Sequence, residues 1–142
     1  MIAAFLWAQL EEADRITLER LERWDDYHRL MAPLEARGLL RRPVVPDGCT
    51  HNAHMYYVLL ASDINRQDVL DAFRQNDIGA VFHYVPLHAS PAGRRYGRAS
   101  GPLPMTVRQS ERLIRLPLWL GITQAQQEKV LTVLEAALGQ RR

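Results

Sequence analysis

The stretch at residues 81–88 constrains the fold more than any other part of the chain. It begins with Val81 and Phe82, and branched and aromatic side chains of this kind favour a β-strand. Pro86 has no backbone N–H to donate to a neighbouring strand, so the strand must end before it. Polar side chains follow at the exit of the strand, where α/β proteins commonly bind their ligands. The pattern therefore predicts a sheet that presents functional groups at one end.

The polar side chains of this stretch are those of His83, Tyr84 and His88. Imidazole titrates near neutral pH, so such a group can hydrogen-bond an anion or transfer a proton. The same side chains could instead cap a loop and satisfy one another, which would give them no function. Both interpretations remain open from these residues alone.

Hydrophobic periodicity predicts an α/β fold for the whole chain. From residue 2 to about residue 32, apolar side chains recur at three- and four-residue spacing, which indicates one long helix. Apolar runs at residues 55–60, 78–82 and 113–119 predict about three strands. Pro117 suggests that the last of these strands lies at an edge of the sheet. Helices packed against three strands make a small α/β sandwich.

Capping signals predict where three of the later helices begin. Asn65 has the residue type of an N-cap, and Asp68 follows at the third helical position. Thr123 with Gln126 has the spacing of a capping box and predicts the start of the final helix. Thr106 and Gln109 have the same spacing and predict a short helix that begins there. The intervening segments, residues 39–52 and 93–104, read as connections, with an extended piece at residues 44–45.

The composition fits one soluble domain. The chain has 142 residues, of which 47% are hydrophobic and 24% charged, and it has a net charge of +2. This charge is too small to indicate nucleic-acid binding, and no segment approaches the length of a membrane span. Cys49 is the only cysteine, so an intrachain disulfide is excluded, which suits a reducing cytoplasm. The first helix starts without a capping residue, which predicts a segment of a longer protein.

Chemistry at a lysine is restricted because Lys129 is the only lysine in the chain. A reaction that needs a Schiff base must use Lys129 or a lysine from another part of a longer protein. Lys129 follows Glu128 in the first turns of the final helix, where a solvent-exposed surface lysine is the simplest interpretation.

Metal and nucleophile sites are weaker alternatives. Four histidines form two groups, and imidazole is a common zinc ligand; they are His51, His54, His83 and His88. Cys49 could add a thiolate or act as a nucleophile if it lay in a cleft. The chain contains no CxxC, HExxH, GxSxG or GxGxxG motif, so no metal or nucleotide motif supports these alternatives.

Arginines are concentrated between residues 93 and 115, where Glu111 is the only acid. The six are Arg94, Arg95, Arg98, Arg108, Arg112 and Arg115. Guanidinium groups pair well with phosphates, so one interpretation is an anion site. The other is a solvated basic face. A nucleic-acid surface would need more aromatic side chains than Tyr96 and Trp119.

Four separated stretches resemble the sugar-nucleotide aminotransferases of the DegT/DnrJ/EryC1/StrS family. They are residues 3–10, 52–57, 80–88 and 110–118, and they occur in the family's order. The resemblance covers nearly all of this chain but only the C-terminal portion of such an enzyme. It implies the type I fold of enzymes that use pyridoxal phosphate. Residues 1–38 would be a long interdomain helix and residues 39–142 the small C-terminal α/β domain, with the large pyridoxal-phosphate-binding domain absent from this chain.

The resemblance also implies an activity for the whole enzyme. It would transfer an amino group from glutamate to a dTDP-4-keto-6-deoxy sugar, with pyridoxal phosphate as the cofactor. No cofactor is expected on this chain alone, no catalytic residue is assigned in it, and Lys129 is not the Schiff-base lysine. Members of the family act as homodimers, so a partner chain is expected, whereas nucleic acid, a membrane and a metal are not.

The resemblance assigns substrate-binding roles to four residues. His83, Tyr84 and His88 would face the sugar nucleotide or the edge of the cofactor, with His54 behind them. An alternative from a different class is a non-catalytic binding or dimerisation module of the same fold.

Overall fold

Residues 2–139 of the chain are described by a computed structural model that contains seven α-helices, one short 3-10 turn and four strands. The helices are α1 Ile2–Glu11, α2 Ala13–Leu30, α3 Ala32–Ala36, α4 Arg66–Gln75, α5 Pro91–Tyr96, α6 Pro104–Arg112 and α7 Gln124–Gly139. The strands are β1 Leu40–Arg41, β2 Tyr56–Leu60, β3 Val81–Phe82 and β4 Leu113–Leu116, and the 3-10 turn spans Leu87–Ala89.

The strands form one sheet in the order β1-β2-β4-β3, and each neighbouring pair is antiparallel. The predicted α/β class is confirmed, but the sheet has four strands rather than about three. The additional strand is β1, in a segment predicted as a connection. Leu40 pairs with Leu60 there, and Arg41 pairs with Leu59, whereas the extended piece predicted at residues 44–45 is not a strand.

The predicted edge position of the strand at residues 113–119 is wrong, because β4 is central in the sheet. It pairs with β2 through Tyr56 and Leu116 and with β3 through Phe82 and Ile114. Pro117 follows the last residue of β4, so its missing N–H breaks no ladder hydrogen bond. The strands at the two edges are β1 and β3.

The hydrophobic core lies between one face of the sheet and helices α2, α4 and α7. Alternate residues of β4 are buried, since Ile114 and Leu116 face this core while Leu113 and Arg115 face away. The helices contribute fully buried side chains, among them Tyr27, Phe73 and Leu134. Complete burial of one large apolar side chain contributes about 1.5–3 kcal/mol, so this layer is a major source of stability.

The long helix predicted for residues 2 to about 32 is divided into α1 and α2, and α3 follows. The chain leaves regular helical geometry at Glu12 (φ −99°, ψ 5°), whereas Met31, which separates α2 from α3, keeps right-handed helical angles (φ −84°, ψ −8°). No residue of α1 is buried, and its large apolar side chains are exposed, with Phe5 70% and Trp7 67% accessible. Among the helices within residues 2–139, none is long and apolar enough to cross a membrane.

Two of the three predicted helix starts are confirmed. Asn65 Oδ1 accepts a hydrogen bond from the backbone N–H of Gln67 at 2.9 Å and so caps α4. Thr123 and Gln126 form the predicted capping box before α7. The start predicted at Thr106 is wrong, because α6 begins two residues earlier at Pro104 and has no side-chain cap. Proline is favoured at the first helical position, where its missing N–H is not needed.

Candidate functional site

The end of β3 presents His83 and Tyr84 at the edge of the sheet. His83 follows the strand directly, and the centroid of its ring lies 4.7 Å from that of Tyr84. Tyr84 is 76% exposed, so its ring is accessible to a ligand. The Nδ1 atom of His83 is buried and has no hydrogen-bond partner. Buried polar atoms are nearly always paired, and this nitrogen is an exception among the described residues, as are Arg115 Nε and Gln127 Oε1.

His88 lies in the 3-10 turn at Leu87–Ala89, which a serine and a glycine hold in place. Ser90 Oγ donates a hydrogen bond to the Leu87 carbonyl oxygen at 2.8 Å and accepts one from the N–H of Gly93 at 2.9 Å. The second bond caps α5, a helix in the segment after His88 that the sequence indicated as a loop. The turn and α5 therefore form one hydrogen-bonded unit that fixes the backbone at His88.

A cleft of about 540 Å³ opens beside this turn, and we call it the His88 cleft. Its walls come from the turn, from α5 and from the segment that leads into α6. The lining residues are Leu87, His88, Gly93, Gly97, Arg98, Ala99, Ser100, Leu103 and Thr106. Four of these side chains can donate hydrogen bonds, and none of the lining residues is acidic. The cleft is therefore suited chemically to an anion.

His54 lies away from His83. Strands β2 and β3 both run antiparallel to β4, so they run parallel to each other. His54 precedes the first residue of β2, whereas His83 follows the last residue of β3, which places the two histidines towards opposite ends of the sheet. The backbone at His54 is held by Arg20, whose guanidinium donates to the carbonyl oxygens of Ala53 at 3.1 Å and His54 at 2.7 Å.

His51 belongs to an aromatic cluster that the sequence did not reveal. Its ring meets the edge of Trp24 at 4.6 Å, and the ring of His28 stacks on the same indole at 4.7 Å. The Nδ1 atom of His28 lies 3.4 Å from the hydroxyl of Tyr56. Burial lowers the pKa of His28, and the nearby positive charge of Arg42 lowers it further. These contacts indicate a structural role for His28 and His51.

The four histidines considered as zinc ligands are not gathered at one place. Among residues 2–139, no group of three or more histidine, cysteine, aspartate or glutamate side chains could hold a metal ion. Cys49 is exposed in the loop before β2 and does not line the His88 cleft. A second cleft, of about 350 Å³, is lined by Asp26 and Arg29 with neighbours from α3 and α7, and it contains no histidine.

Lys129 does not fit the role of a cofactor-bearing lysine. It is exposed on α7, while the residue that follows it, Val130, is buried in the core. It lines neither the His88 cleft nor the second cleft. The residues of this chain therefore supply no Schiff-base lysine beside His83 and His88, which agrees with the expectation that Lys129 is a surface residue.

Three residues of the His88 cleft were not selected by sequence reasoning as site residues: Arg98, Ser100 and Thr106. The sequence does not distinguish Arg98 from the five other arginines of its segment, Ser100 has no motif around it, and Thr106 indicates only a helix start with Gln109. The glycines that flank this segment were read only as loop signals. A β-carbon at Gly97 would lie 2.7 Å from the Gly93 carbonyl oxygen. A glycine at this position therefore indicates that two parts of the backbone approach each other closely.

Comparison with known proteins confirms the family resemblance over nearly the whole chain. The model of the DegT/DnrJ/EryC1/StrS aminotransferase family matches residues 1–135. Among solved structures, the aminotransferase TlmJ from Streptoalloteichus hindustanus is similar, with 25% sequence identity and a TM-score of 0.77. The alignment covers 93% of this chain and 34% of TlmJ.

Two further structures share the fold at lower sequence identity. DesV of S. venezuelae, solved in complex with a ketimine intermediate, is 24% identical with a TM-score of 0.81, over 95% of this chain and 35% of DesV. PseC of Helicobacter pylori, an aminotransferase involved in the biosynthesis of pseudoaminic acid, is 15% identical with a TM-score of 0.79. That alignment covers 94% of this chain and 35% of PseC. The chain thus spans about one third of the length of these structures.

The structural agreement and the family match concern the same residues. The fold of residues 2–139 is that of a segment of these aminotransferases, and the match includes the exit of β3 and the whole His88 cleft. On this evidence, the chain belongs to the DegT/DnrJ/EryC1/StrS aminotransferase family.

Proposed function

We propose that this chain is the C-terminal part of a pyridoxal-phosphate-dependent aminotransferase that transfers an amino group from glutamate to a dTDP-4-keto-6-deoxy sugar. The observation that carries the proposal is the family match over residues 1–135. The reaction is that of dTDP-4-amino-4,6-dideoxygalactose transaminase, an enzyme of enterobacterial common antigen synthesis, which the motifs at residues 3–10, 52–57, 80–88 and 110–118 resemble. The whole enzyme would work in the cytoplasm.

The proposal assigns substrate contacts to the exit of β3 and to the adjoining turn. The exposed ring of Tyr84 can pack against a sugar or a planar ring, and the imidazoles of His83 and His88 can hydrogen-bond it. His54 lies towards the other end of the sheet, so it would contact a different part of the ligand or of the neighbouring protein surface.

The cofactor would be held by the rest of the protein, because no lysine of this chain stands near these side chains. Pyridoxal phosphate supplies the electron sink of such a reaction. The contribution of this chain is to bind and orient the sugar substrate and to exclude water from it. On this proposal, residues 1–38 connect to the large domain and residues 39–142 form the small domain.

A homodimer is part of the proposal, and the exposed face of α1 supports it. Ile2, Phe5, Leu6, Trp7 and Leu10 are each more than half exposed, and together they form an apolar surface. Contiguous apolar surface of this kind marks contact with other protein. The large domain or a partner chain would cover this surface in the whole enzyme.

The test uses the protein in which this chain is joined to its large domain. Purified protein with pyridoxal phosphate should release 2-oxoglutarate from glutamate when the dTDP-keto sugar is added. His83→Asn and His88→Asn should each lower kcat/KM by about tenfold or more, since each removes a hydrogen bond to a polar ligand. His51→Asn is the matched control, because His51 packs on Trp24, and it should retain turnover.

Two results would count against the proposal. Unchanged turnover in both the His83 and the His88 variants would remove these residues from the substrate site. A protein that neither takes up pyridoxal phosphate, measured by its visible absorbance, nor transfers an amino group would favour the non-catalytic module instead.

A further inference from the structure

We propose that the His88 cleft binds the diphosphate group of a sugar nucleotide, with Arg98 as its principal charged contact. The choice of a sugar nucleotide rests on the proposed function. The residues that line the cleft support the binding of a phosphate-type anion independently of the proposed function. The inference thereby assigns binding roles to Arg98, Ser100 and Thr106 in addition to His88.

The surroundings of the arginines distinguish Arg98 from others in the basic segment. The Nε atom of Arg112 donates to a backbone carbonyl of β2 at 2.6 Å, so this side chain is used by the sheet. The guanidinium of Arg95 lies over the ring of the next residue at 5.1 Å, and Arg108 contacts a methionine sulfur one turn earlier. Arg98 alone among the six lines the His88 cleft, and the ion pairs within residues 2–139 involve other arginines.

The other polar groups of the cleft complete a set of donors. The hydroxyls of Ser100 and Thr106 and the imidazole of His88 can each donate to a phosphate oxygen. Guanidinium pairs with phosphate through two parallel hydrogen bonds, which gives it both affinity and orientation. Because no aspartate or glutamate lines the cleft, nothing in its wall competes with an anion for Arg98.

The shape of the cleft also suits a diphosphate. A volume of about 540 Å³ is in the usual range for a small-molecule site, and the cleft is open, so the sugar and the nucleoside could extend beyond it. Gly93 and Gly97 form part of its wall without side chains, and both positions are too close to backbone atoms for a β-carbon. The wall beside His88 is thus fixed by backbone packing and needs little ordering when an anion binds.

The experiment measures binding to the 142-residue chain itself, so it needs neither cofactor nor turnover. Inorganic pyrophosphate, dTDP, thymidine and L-glutamate are titrated separately, by calorimetry and by amide chemical shifts. Pyrophosphate and dTDP should bind and shift the amides of Arg98, Ser100 and Thr106, whereas thymidine should not bind. L-Glutamate serves to distinguish a carboxylate site from a phosphate site.

Arg98→Gln should weaken dTDP binding by about tenfold or more, since it removes a charge-assisted pair of hydrogen bonds. Arg94→Gln is the matched control, because Arg94 is exposed on α5 and does not line the cleft, and it should bind dTDP as the unsubstituted chain does. Ser100→Ala should weaken binding less than Arg98→Gln.

Three results would overturn the inference: equal dTDP affinity in Arg98→Gln and the unsubstituted chain, thymidine binding as tightly as dTDP, or no pyrophosphate binding at millimolar concentration. Tighter binding of L-glutamate than of pyrophosphate would also overturn it, in favour of a carboxylate site. Failure of the amino-transfer assay would overturn the proposed function but leave a measured anion site in place, so the two failures are distinguishable.

Discussion

Gly93 lies so close to Leu87 that a β-carbon at Gly93 would stand 1.6 Å from the Leu87 carbonyl oxygen. The same glycine donates its N–H to the Oγ atom of Ser90, which caps α5. The backbone conformation at His88 therefore depends on the absence of a side chain one turn later.

Gly93→Ala tests this dependence. The clash with a backbone atom cannot be relieved by a side-chain rotation, so the turn must move, and we expect the free energy of unfolding to fall by about 1–3 kcal/mol. Gly79→Ala is the control, because nothing lies within 4 Å of a β-carbon at Gly79. The measurement is urea denaturation, together with dTDP binding, which Gly93→Ala should weaken. Equal stability in the two variants would contradict the packing argument.

Arg20 stabilises the loop that contains His54. Its guanidinium donates to two backbone carbonyls of that loop, so Arg20→Gln should lower the free energy of unfolding by about 1.5–3 kcal/mol. Arg15→Gln should change it by less than about 1 kcal/mol, since Arg15 pairs only with exposed glutamates on its own helix. Urea denaturation of both variants checks the difference, and equal losses would show that the two Arg20 hydrogen bonds add no more stability than an exposed ion pair.

The stability of the fold should fall as the pH drops below the ordinary pKa of histidine. Burial and Arg42 lower the pKa of His28 in the folded chain, outweighing the opposite effect of Glu35 and Asp25. Between the ordinary value, near 6.5, and the lower folded value, the unfolded chain binds a proton that the folded chain does not. Stability present at neutral pH is therefore lost with acidification through this range.

The measurement is thermal or urea denaturation from about pH 7 to about pH 5. His28→Gln should flatten the loss of stability in this range, whereas His54→Gln, at an exposed position, is the control. An unchanged pH dependence of stability in His28→Gln would refute the assignment of the loss to His28.

Glu35 contributes to the pH dependence of stability at lower pH. Burial by itself would raise its pKa, but the hydrogen bonds and the charge of Arg42 outweigh that effect and lower it. Its contribution is present above about pH 4.5 and is lost below that value.

Two phenylalanines should differ strongly when truncated. Phe73 is fully buried between α4 and the sheet, so Phe73→Ala should cost about 3–5 kcal/mol. Phe82 is 48% exposed on the edge strand and contacts the guanidinium of Arg66 at 5.2 Å, so Phe82→Ala should cost about 1 kcal/mol. Denaturation curves with matched slopes would measure both values. A large loss at Phe82 would mean that the edge strand is part of the core.

Local chemistry allowed the sequence to predict some elements and not others. The helix starts predicted from Asn65 and Thr123 are confirmed, because these caps involve only neighbouring residues. Thr106 was wrong because Pro104, which fits the first helical position equally well, begins α6 earlier. β1 was not predicted because Leu40 is ordered by pairing with Leu60, a partner distant in sequence.

The candidate site was likewise only partly predictable from the sequence. His83, Tyr84 and His88 stand together in one short motif, so the sequence is enough to propose them as substrate-binding residues, and that role stays a prediction. Arg98 could not be separated from five similar arginines, because only the folding of α5 and the segment after it brings Arg98 to the same cleft as His88. The position of His54 relative to His83 also depends on the direction of β2 in the sheet.

The pairing of β2 with β4 also determines when this domain can fold. These central strands are joined through a long intervening segment, and Arg112 reaches back to the carbonyl of Leu60 across 52 residues. Loop closure must precede the contacts that reward it, so sheets with such high contact order form slowly. On the ribosome, β2 has no central partner until β4 has emerged, and its apolar residues stay exposed meanwhile. Until β4 has emerged, the nascent chain therefore exposes apolar surface and an unpaired strand edge, which favour non-native association.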